Sequence, residues 1–296
     1  MKKKSIALFG REFSDTVIPY VKELFEFLAT NNLDVHINGN FYDFLKGKIN
    51  CSHNYGLYSS KEDLPQVDFM LSLGGDGSML GAVSLVKDSD LPIAGINFGR
   101  LGFLAGIHKS QIASALTRIL SGDYRIEPRS LLEASSPDTP LFEGYNFALN
   151  DLSITGIDSS SMISIHSYID GELLNTYWAD GIVIATPTGS TAYSLSCGGP
   201  IIMPGSGNFV ITPISPHNLN VRPLVISEDA VLDLSVECRA DHFVLTCDSR
   251  SEKLRRSIRL QVRKAPFSAK LIQLESKNYF QTLREKLLWG IDVRNY

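Results

Sequence analysis

The chain has 296 residues, of which 44% are hydrophobic and 20% charged, and its net charge is −4. These values are typical of a globular protein with one large domain or two ordinary ones, and they do not indicate nucleic acid as a partner. No apolar stretch approaches the roughly 18 residues that span a membrane, so we expect a cytoplasmic protein without a membrane partner. The four cysteines lack the CxxC spacing of a zinc site and fit a reducing compartment.

Strands and helices are predicted to alternate over the first 124 residues. Short apolar runs predict buried strands at residues 5–9, 34–37, 67–73 and 91–97. Apolar residues at helical spacing predict helices at residues 16–33, 78–86 and 110–120. This alternation favours a Rossmann-like α/β domain with a parallel sheet, in which ligands bind at the carboxyl ends of the strands. The polar segment 38–63 is expected to be irregular.

The pattern changes near residue 125 to short alternating or β-branched runs separated by proline and glycine. The clearest of these runs lie at residues 164–169, 181–185, 230–236 and 243–247. They predict a β-sandwich-like domain over residues 125–266 after an α/β domain over residues 1–124. Residues 279–288 return to helical spacing. We expect the segment 267–296 to end in a helix that packs back on the first domain.

A glycine-rich loop follows the predicted strand at residues 67–73. Gly74, Gly75 and Gly77 surround Asp76, and Ser78 opens a helix-competent stretch. The missing side chains let a ligand approach the backbone closely, and the N–H groups at a helix start favour an anion such as phosphate. A carboxylate repels phosphate unless it serves a metal or accepts a proton. Alternatively, the segment is a strand-to-helix turn in which Asp76 or Ser78 caps the helix.

The longest informative stretch covers residues 179–200. A predicted strand runs into Thr-Pro-Thr-Gly-Ser-Thr, a short helical segment and Gly-Gly-Pro. Small hydroxylated and glycine positions provide a backbone-rich surface that could hydrogen-bond a nucleotide, and Tyr193 could stack on its base. A Ser/Thr-rich turn followed by one capped helical turn explains the same residues equally well.

Together these motifs resemble those of a known family. Residues 74–78 resemble the GGDG(T/S) signature that NAD kinases share with lipid kinases of the diacylglycerol and sphingosine type and with phosphofructokinases. Residues 180–200 are similar to the NAD kinase signature DGxxxxTPTGSTAYSLSxGGP, which the other two families lack. Shorter matches lie at residues 95–104, 150–151 and 214–226. The chain therefore resembles the bacterial ATP-NAD kinases over nearly its whole length, with residues 38–63 as the exception.

The resemblance implies a kinase that transfers the terminal phosphoryl group of ATP to the 2′-hydroxyl of the adenosine ribose of NAD, giving NADP. Such transfer depends on positioning and charge neutralisation, so we expect a divalent metal, Mg²⁺ or Mn²⁺, as cofactor, without assigning its protein ligands. The family shares its dinucleotide pocket between subunits, which implies a homodimer or homotetramer. A non-catalytic dinucleotide sensor, or a related GGDG-type lipid or sugar kinase, is the alternative.

The same resemblance implies roles for the residues of the glycine loop. Asp76 is expected to accept the proton of the attacking 2′-hydroxyl, the alternative being a structural or metal-orienting role. Gly74, Gly75, Gly77 and Ser78 are expected to cradle phosphates. Asp76 and Gly77 are also expected to contact NAD.

The β-rich domain is expected to bind NAD. Asn150 and Asp151 would bracket the adenosine ribose, because an amide and a carboxylate can hold a vicinal diol; Asp151 could instead cap a turn. Asp180 would meet the nicotinamide end. The adenine pocket would be lined by Thr191, Ala192, Tyr193, Ser194, Leu195 and Ser196.

Three positions depart from the family's pattern near the expected acceptor site. Ser161 stands where relatives often have a basic residue, and Trp178 replaces what is often a polar or basic residue. Arg250 stands where a glycine or serine together with a glutamine is more familiar in the family. Its side chain could reach the pyrophosphate or be a solvated arginine. Their roles are left open.

Overall fold

The computed structural model describes residues 3–49, 55–99, 102–157, 162–274 and 279–289. The chain divides into two compact units. The first unit comprises Met1–Glu127 and Lys270–Tyr296, and the second comprises Pro128–Ala269. Within the described ranges, no helix has the length and apolar character needed to cross a membrane.

The first unit contains a parallel sheet. Its strands are β1 (Ser5–Gly10), β2 (Asp34–Asn38), β3 (Gly56–Tyr58), β4 (Phe69–Gly74), β5 (Ile93–Asn97) and β6 (Ile107–His108). Five of them lie in the order β5-β4-β1-β2-β3, with β6 paired to β5, and all pairs are parallel. Gly10 lies opposite Leu73, and Gly74 lies opposite Asn97. The segments that follow β1, β4 and β5 therefore leave the sheet side by side.

Helices connect these strands, and three of the four were predicted from the sequence pattern. They are α1 (Ile18–Thr30), α2 (Gly39–Leu45), α3 (Asp76–Val86) and α4 (Ile112–Ser121), with single three-ten turns at Asp15–Val17 and Lys109–Gln111. Helix α1 buries Val21, Leu24 and Leu28, which helical spacing places on one face. These side chains join one apolar core with Ile6 and Leu8 of β1.

The prediction that residues 38–63 are irregular is wrong for much of the segment, because α2 and β3 lie there. Asn38 caps α2 by accepting the backbone N–H of Phe41 at 3.4 Å. Tyr58 is fully buried and its hydroxyl donates to the carbonyl of Leu8 at 2.9 Å. Aromatic side chains thus anchor a segment whose overall composition is polar. Residues 50–54 lie outside the described ranges.

The second unit is β-rich. Its strands are β7 (Arg125–Ser135, beginning in the first unit), β8 (Phe147–Ala148), β9 (Asp151–Gly156), β10 (Ile163–Ile169), β11 (Glu172–Ala179), β12 (Gly181–Ala185), β13 (Asn208–Ile214), β14 (Leu224–Ser227), β15 (Leu232–Glu237), β16 (His242–Cys247), β17 (Arg250–Arg255) and β18 (Leu260–Gln273). Three-ten turns lie at Phe142–Gly144 and Gly189–Thr191, and a short helix, α5, at Tyr193–Ser196.

These strands form two antiparallel layers. One has the order β14-β13-β12-β9-β16-β17, and the other contains β11-β10-β15-β18. Alternate residues of both layers enter one apolar core, including Ile154 and Ile182 from the first layer and Ile165 and Leu234 from the second. The predicted β-sandwich-like architecture is confirmed.

The end of the chain lies in the first unit. Leu271, near the end of β18, pairs with Ile93 of β5 in parallel. Helix α6 (Tyr279–Leu287) buries Leu283, and the Lys286 ammonium lies 6.0 Å from the centre of the Phe103 ring. The predicted return of the C-terminal helix to the first domain is confirmed.

Candidate active site

The glycine loop connects β4 directly to α3. Gly74 has a φ of 145°, and a Cβ at this position would lie 2.2 Å from the Ser78 hydroxyl. Only glycine fits there. Gly75 is the N-cap residue of α3, and among the described residues no side chain forms a capping hydrogen bond at this end of the helix. The alternative in which Asp76 or Ser78 caps the helix is therefore wrong.

The Asp76 carboxylate is turned toward the segment that follows β5. Its Oδ2 accepts the backbone N–H of Phe103 at 2.8 Å, and its Oδ1 accepts those of Leu104 and Ala105 at 3.0 and 3.2 Å. A Cβ at Gly102 would lie 1.7 Å from Oδ1, so glycine is required for this approach. A carboxylate has about four acceptor positions, two on each oxygen. One position on Oδ2 is left for a further donor.

A cavity of about 440 Å³ opens at the carboxyl ends of β1, β4 and β5. The glycine loop supplies Gly74, Gly75, Gly77 and Ser78 to its lining, and β5 supplies Asn97. The structure thus places the whole predicted phosphate loop on one cavity wall. Asp76, although in the loop, directs its carboxylate to the 103–105 backbone.

In the second unit, Asp151 is the first residue of β9 and is 6% exposed. Burial and the nearby Asp248 carboxylate raise the pKa of Asp151 to about 7, against the effect of the Tyr193 backbone N–H that it accepts. The hydrogen bond from Tyr193 joins two sequence motifs that lie some forty positions apart. Asp151 can therefore change its charge near neutral pH while its position is fixed.

Asp248 holds the turn that carries Asn150 and Asp151. Its carboxylate accepts the backbone N–H groups of Leu149, Asn150 and Asp151 at 2.9, 2.8 and 3.3 Å, and its own N–H donates to the Asp151 carbonyl at 3.0 Å. Burial raises the pKa of Asp248, although these three donors act in the opposite direction. Sequence analysis did not assign Asp248. Its only signal was an aspartate directly after a predicted strand.

The Thr-Pro-Thr-Gly-Ser-Thr segment packs on the same turn. The hydroxyl of Thr186 donates to the Leu149 carbonyl at 2.6 Å, and its backbone N–H donates to the Asn150 carbonyl at 2.9 Å. A Cβ at Gly189 would lie 2.0 Å from the Asn150 carbonyl oxygen. Arg129, which sequence analysis also missed, is buried and donates to the Thr188 hydroxyl at 3.2 Å.

The residues predicted to line the adenine pocket differ in their surroundings. Tyr193 is exposed at the start of α5, and burial, Cys197, Asp151 and Asp180 together raise the pKa of its hydroxyl. Asp180 is exposed, and its charge is near enough to Tyr193 to contribute to that raised pKa. The structure therefore joins Asp151 and Tyr193 by a hydrogen bond, with the charge of Asp180 in their neighbourhood.

The other members of the predicted pocket are turned in different directions. Ser194 is buried, and its hydroxyl is 2.8 Å from that of Thr212, so its side chain serves the fold. Ser196 is exposed, whereas Thr191, Ala192 and Leu195 are partly buried. The Thr191 hydroxyl donates to the Thr188 carbonyl at 3.2 Å.

Two of the three atypical positions are described. Trp178 is 57% exposed on β11. Arg250 donates to the carbonyl of Phe147 and lies 5.3 Å from the centre of its ring, so it is not a freely solvated arginine. Ser161 lies outside the described residues, as do Arg100 and Leu101 of the segment 95–104.

The described ranges contain no group of three or more His, Cys, Asp or Glu side chains that could hold a metal ion. Asp76 is the one carboxylate within the 74–78 loop. A magnesium ion commonly binds through one or two carboxylates together with phosphate oxygens and water. The residues present therefore fit a metal that arrives with the phosphates rather than one held by a protein cage.

Two family models match the chain in succession. The ATP-NAD kinase N-terminal domain matches residues 6–124, and the ATP-NAD kinase C-terminal domain matches residues 149–274. The NAD kinase of Cytophaga hutchinsonii is 45% identical, and that of Flavobacterium psychrophilum is 42% identical. Each alignment covers 98% of this chain and 99% of the relative.

Solved structures share the fold. A yeast NADH kinase complexed with NADH has a TM-score of 0.86 at 22% identity, covering 99% of this chain and 90% of that one. An NAD kinase from Archaeoglobus fulgidus in complex with ATP has a TM-score of 0.73 at 24% identity, covering 95% and 99%. From the two family matches and the near full-length relatives, the chain belongs to the ATP-NAD kinase family, phosphotransferases that use ATP to phosphorylate an alcohol group of NAD and so produce NADP.

Proposed function

We propose that, in this NAD kinase reaction, the first unit binds the phosphates of ATP and the second unit binds the adenosine end of NAD. The observation that carries the proposal is the fixed turn at Asn150 and Asp151. Asp248 holds its backbone, and Asp151 accepts the N–H of Tyr193. Two fold relatives that were solved with NADH and with ATP support the two ligands.

In this proposal Asp76 accepts the proton of the 2′-hydroxyl. A bond forms between the 2′-oxygen and the terminal phosphorus, the bond from that phosphorus to the bridging oxygen breaks, and ADP leaves. The free acceptor position on Oδ2 receives the proton, while the N–H groups of Phe103, Leu104 and Ala105 fix the carboxylate. The backbone of Gly74, Gly75 and Gly77 and the hydroxyl of Ser78 hold the phosphates.

The acceptor is held by the second unit. Asn150 and Asp151 bracket the two hydroxyls of the adenosine ribose, and Tyr193 offers its exposed ring to the adenine. Thr191, Ala192, Leu195 and Ser196 complete the adenine pocket, with Ser194 acting through the fold. Asp180, exposed beside Tyr193, meets the nicotinamide end.

A divalent cation, Mg²⁺ or Mn²⁺, is proposed to bind with the phosphates. It would neutralise charge on the transferred group when bound, with Asp76 as the nearest carboxylate of the loop. Activity is expected to disappear with excess chelator and to return when Mg²⁺ is restored. Full activity in excess chelator would show that the reaction requires no divalent metal.

We further propose a cytoplasmic homodimer or homotetramer. Leu173 and Trp178 on β11, the last strand of its layer, are 63% and 57% exposed. An exposed apolar sheet edge is typical of an interface. The described cysteines Cys197, Cys238 and Cys247 are free thiols, as expected in a reducing compartment. Light scattering on the purified protein gives the oligomeric state, and a monomer would contradict the assembly.

The test of the proposed function is NADP formation from NAD, ATP and Mg²⁺, read by an NADP-specific coupled dehydrogenase. Turnover of about 1–10³ s⁻¹ is expected. A protein that binds NAD in calorimetry but forms no product with any nucleoside triphosphate would be a dinucleotide sensor. Activity on a lipid or sugar, without activity on NAD, would identify a related kinase instead.

A further inference from the structure

Arg11 lies beside the glycine loop, at a position that the sequence motifs did not include. It directly follows Gly10, the last residue of β1, which lies opposite Leu73 of β4. Its guanidinium lies along α3. One terminal nitrogen is 3.9 Å from the Cβ position at Gly77, and the other is 3.4 Å from that at Gly81.

The two glycines explain this placement. Gly77 and Gly81 are four residues apart, so they occupy the same face of α3 one turn from each other. A Cβ at Gly81 would lie 2.9 Å from the Phe9 ring and 3.4 Å from the guanidinium, whereas a Cβ at Gly77 would be in ordinary contact with the guanidinium at 3.9 Å. The helix therefore offers a bare face, at its first two turns, on which Arg11 rests.

Arg11 has no anionic partner among the described residues. The first candidate for such a partner is Asp76, because it precedes Gly77 in the glycine loop. That carboxylate accepts three backbone N–H groups from residues 103–105 and forms no ion pair with Arg11. A guanidinium that is positioned without a counter-ion can bind the anion of a ligand.

The same cavity of about 440 Å³ that the glycine loop lines also includes Arg11. Glu12, which lines it too, is exposed and likewise forms no hydrogen bond or ion pair with another described residue. The cavity is therefore lined by one cationic side chain together with the residues of the glycine loop. Its chemistry suits a polyanion with several oxygens, such as a triphosphate.

We propose that Arg11 binds the terminal phosphates of the nucleoside triphosphate donor. This assignment rests on the proposed phosphate role of the glycine loop. The planar guanidinium presents two parallel N–H groups to two phosphate oxygens, which fixes the donor's orientation as well as its charge. Arg11 also opposes the negative charge that spreads over the phosphoryl oxygens during transfer.

The test compares Arg11→Ala and Arg11→Lys with the parent enzyme in steady-state assays that vary ATP and NAD separately. Loss of a charged hydrogen bond is expected to raise the KM for ATP about 10- to 100-fold in Arg11→Ala. The KM for NAD is expected to stay within a factor of about two. Arg11→Lys keeps the charge but loses the planar guanidinium, so its KM for ATP should lie between that of the parent and that of Arg11→Ala.

Two control variants separate binding from general changes of charge. Glu23→Gln neutralises an exposed carboxylate of α1 outside the cavity lining, and Arg125→Gln removes an exposed arginine elsewhere in the first unit. Neither is expected to raise the KM for ATP. Thermal unfolding of every variant checks that the fold is retained.

Binding of a non-hydrolysable ATP analogue, measured by calorimetry, keeps the test independent of turnover. Weaker binding to Arg11→Ala supports the proposal even if the parent forms no NADP, an outcome that would reject the proposed function alone. An unchanged affinity for the analogue together with an unchanged KM for ATP overturns the role of Arg11. A parallel rise in the KM for NAD also overturns it, because Arg11 would then serve the acceptor or the fold.

Discussion

Asp76 is held by backbone N–H groups and is also proposed to accept a proton, and replacing it tests both roles. In Asp76→Asn the amide cannot accept the 2′-hydroxyl proton, and its NH₂ group, which is only a donor, cannot accept the N–H of either Phe103 or Leu104, depending on which carboxylate oxygen it replaces. Turnover is expected to fall about 10²- to 10⁴-fold, while the affinity for NAD is kept. Stopped assays give kcat, and calorimetry gives the dissociation constant for NAD.

Asp123→Asn, which removes an exposed carboxylate of the first unit, is the matched control. If Asp76→Asn turned over within a few-fold of the parent, Asp76 would not be the base. Its carboxylate would then be a structural link between the glycine loop and residues 103–105.

Asp151 makes stability depend on pH. Its pKa is about 7 in the folded protein, against 3.8 when unperturbed, because burial and Asp248 disfavour the charged form. The folded state therefore binds more protons than the unfolded state between these two values. The contribution of Asp151 to the free energy of unfolding is therefore complete below pH 3.8. It decreases as the pH rises and is lost above about pH 7.

Asp151→Asn removes this contribution while an amide oxygen still accepts the Tyr193 N–H. We expect the free energy of unfolding of the variant, relative to the parent, to increase between pH 5 and pH 8 by on the order of 1–3 kcal/mol. Urea unfolding at both values measures the difference. If the variant and the parent differed in their free energy of unfolding by the same amount at pH 5 and at pH 8, Asp151 would be ionised at both. Asp248 has a raised pKa as well, so the comparison must be between variant and parent.

The residues that match family signatures could be predicted from the sequence, whereas those that hold them could not. Asn150 and Asp151 form a recognisable motif, but Asp248, which holds their backbone, lies 97 to 99 positions from its three partners. Arg11 likewise reaches its place only because β1 and β4 are neighbours in the sheet. A single sequence does not contain such pairings until the strand order is known.

At the scale of elements, the turn before β9 and the three-ten turn at Gly189–Thr191 fit together only because one residue has no side chain. A Cβ at Gly189 would lie 2.0 Å from the backbone oxygen of Asn150, which cannot move without losing its bond from Thr186. Gly189→Ala is expected to cost about 1–3 kcal/mol of stability and to raise the KM for NAD. Urea unfolding and steady-state assays measure the two effects.

Gly106→Ala is the control, since a Cβ there meets its nearest neighbour at an ordinary 3.7 Å. It should keep both quantities near those of the parent. If Gly189→Ala also kept the KM for NAD, the turn at Asn150 would not contribute to the acceptor site.

Element prediction succeeded where periodicity was strong. The strand at residues 181–185 has the bounds predicted from an unbroken apolar run, because β12 is buried along its whole length. The prediction for segment 38–63 failed because α2 has only seven residues, too few for a helical period to show. This helix depends on the Asn38 cap and on Phe41. Tertiary contacts, not local pattern, decide such short elements.

At the scale of the whole chain, the two units differ in continuity. Pro128–Ala269 is one uninterrupted segment with its own apolar core, whereas the first unit needs both Met1–Glu127 and Lys270–Tyr296. Leu283, from the second of these segments, is buried in the first unit. Cutting the chain at residues 128 and 269 therefore leaves all the strands from β8 to β17 intact.

We expect the fragment 128–269 to fold cooperatively by itself and the fragment 1–127 to be much less stable, because the latter lacks Leu283 and the pairing of Leu271 with Ile93. Trp178 is the single tryptophan of fragment 128–269, so its fluorescence and the circular dichroism report the same transition. Coincident urea transitions of the two signals support autonomous folding. Transitions that differ, or an equally stable fragment 1–127, would show that the division into units does not correspond to independent folding.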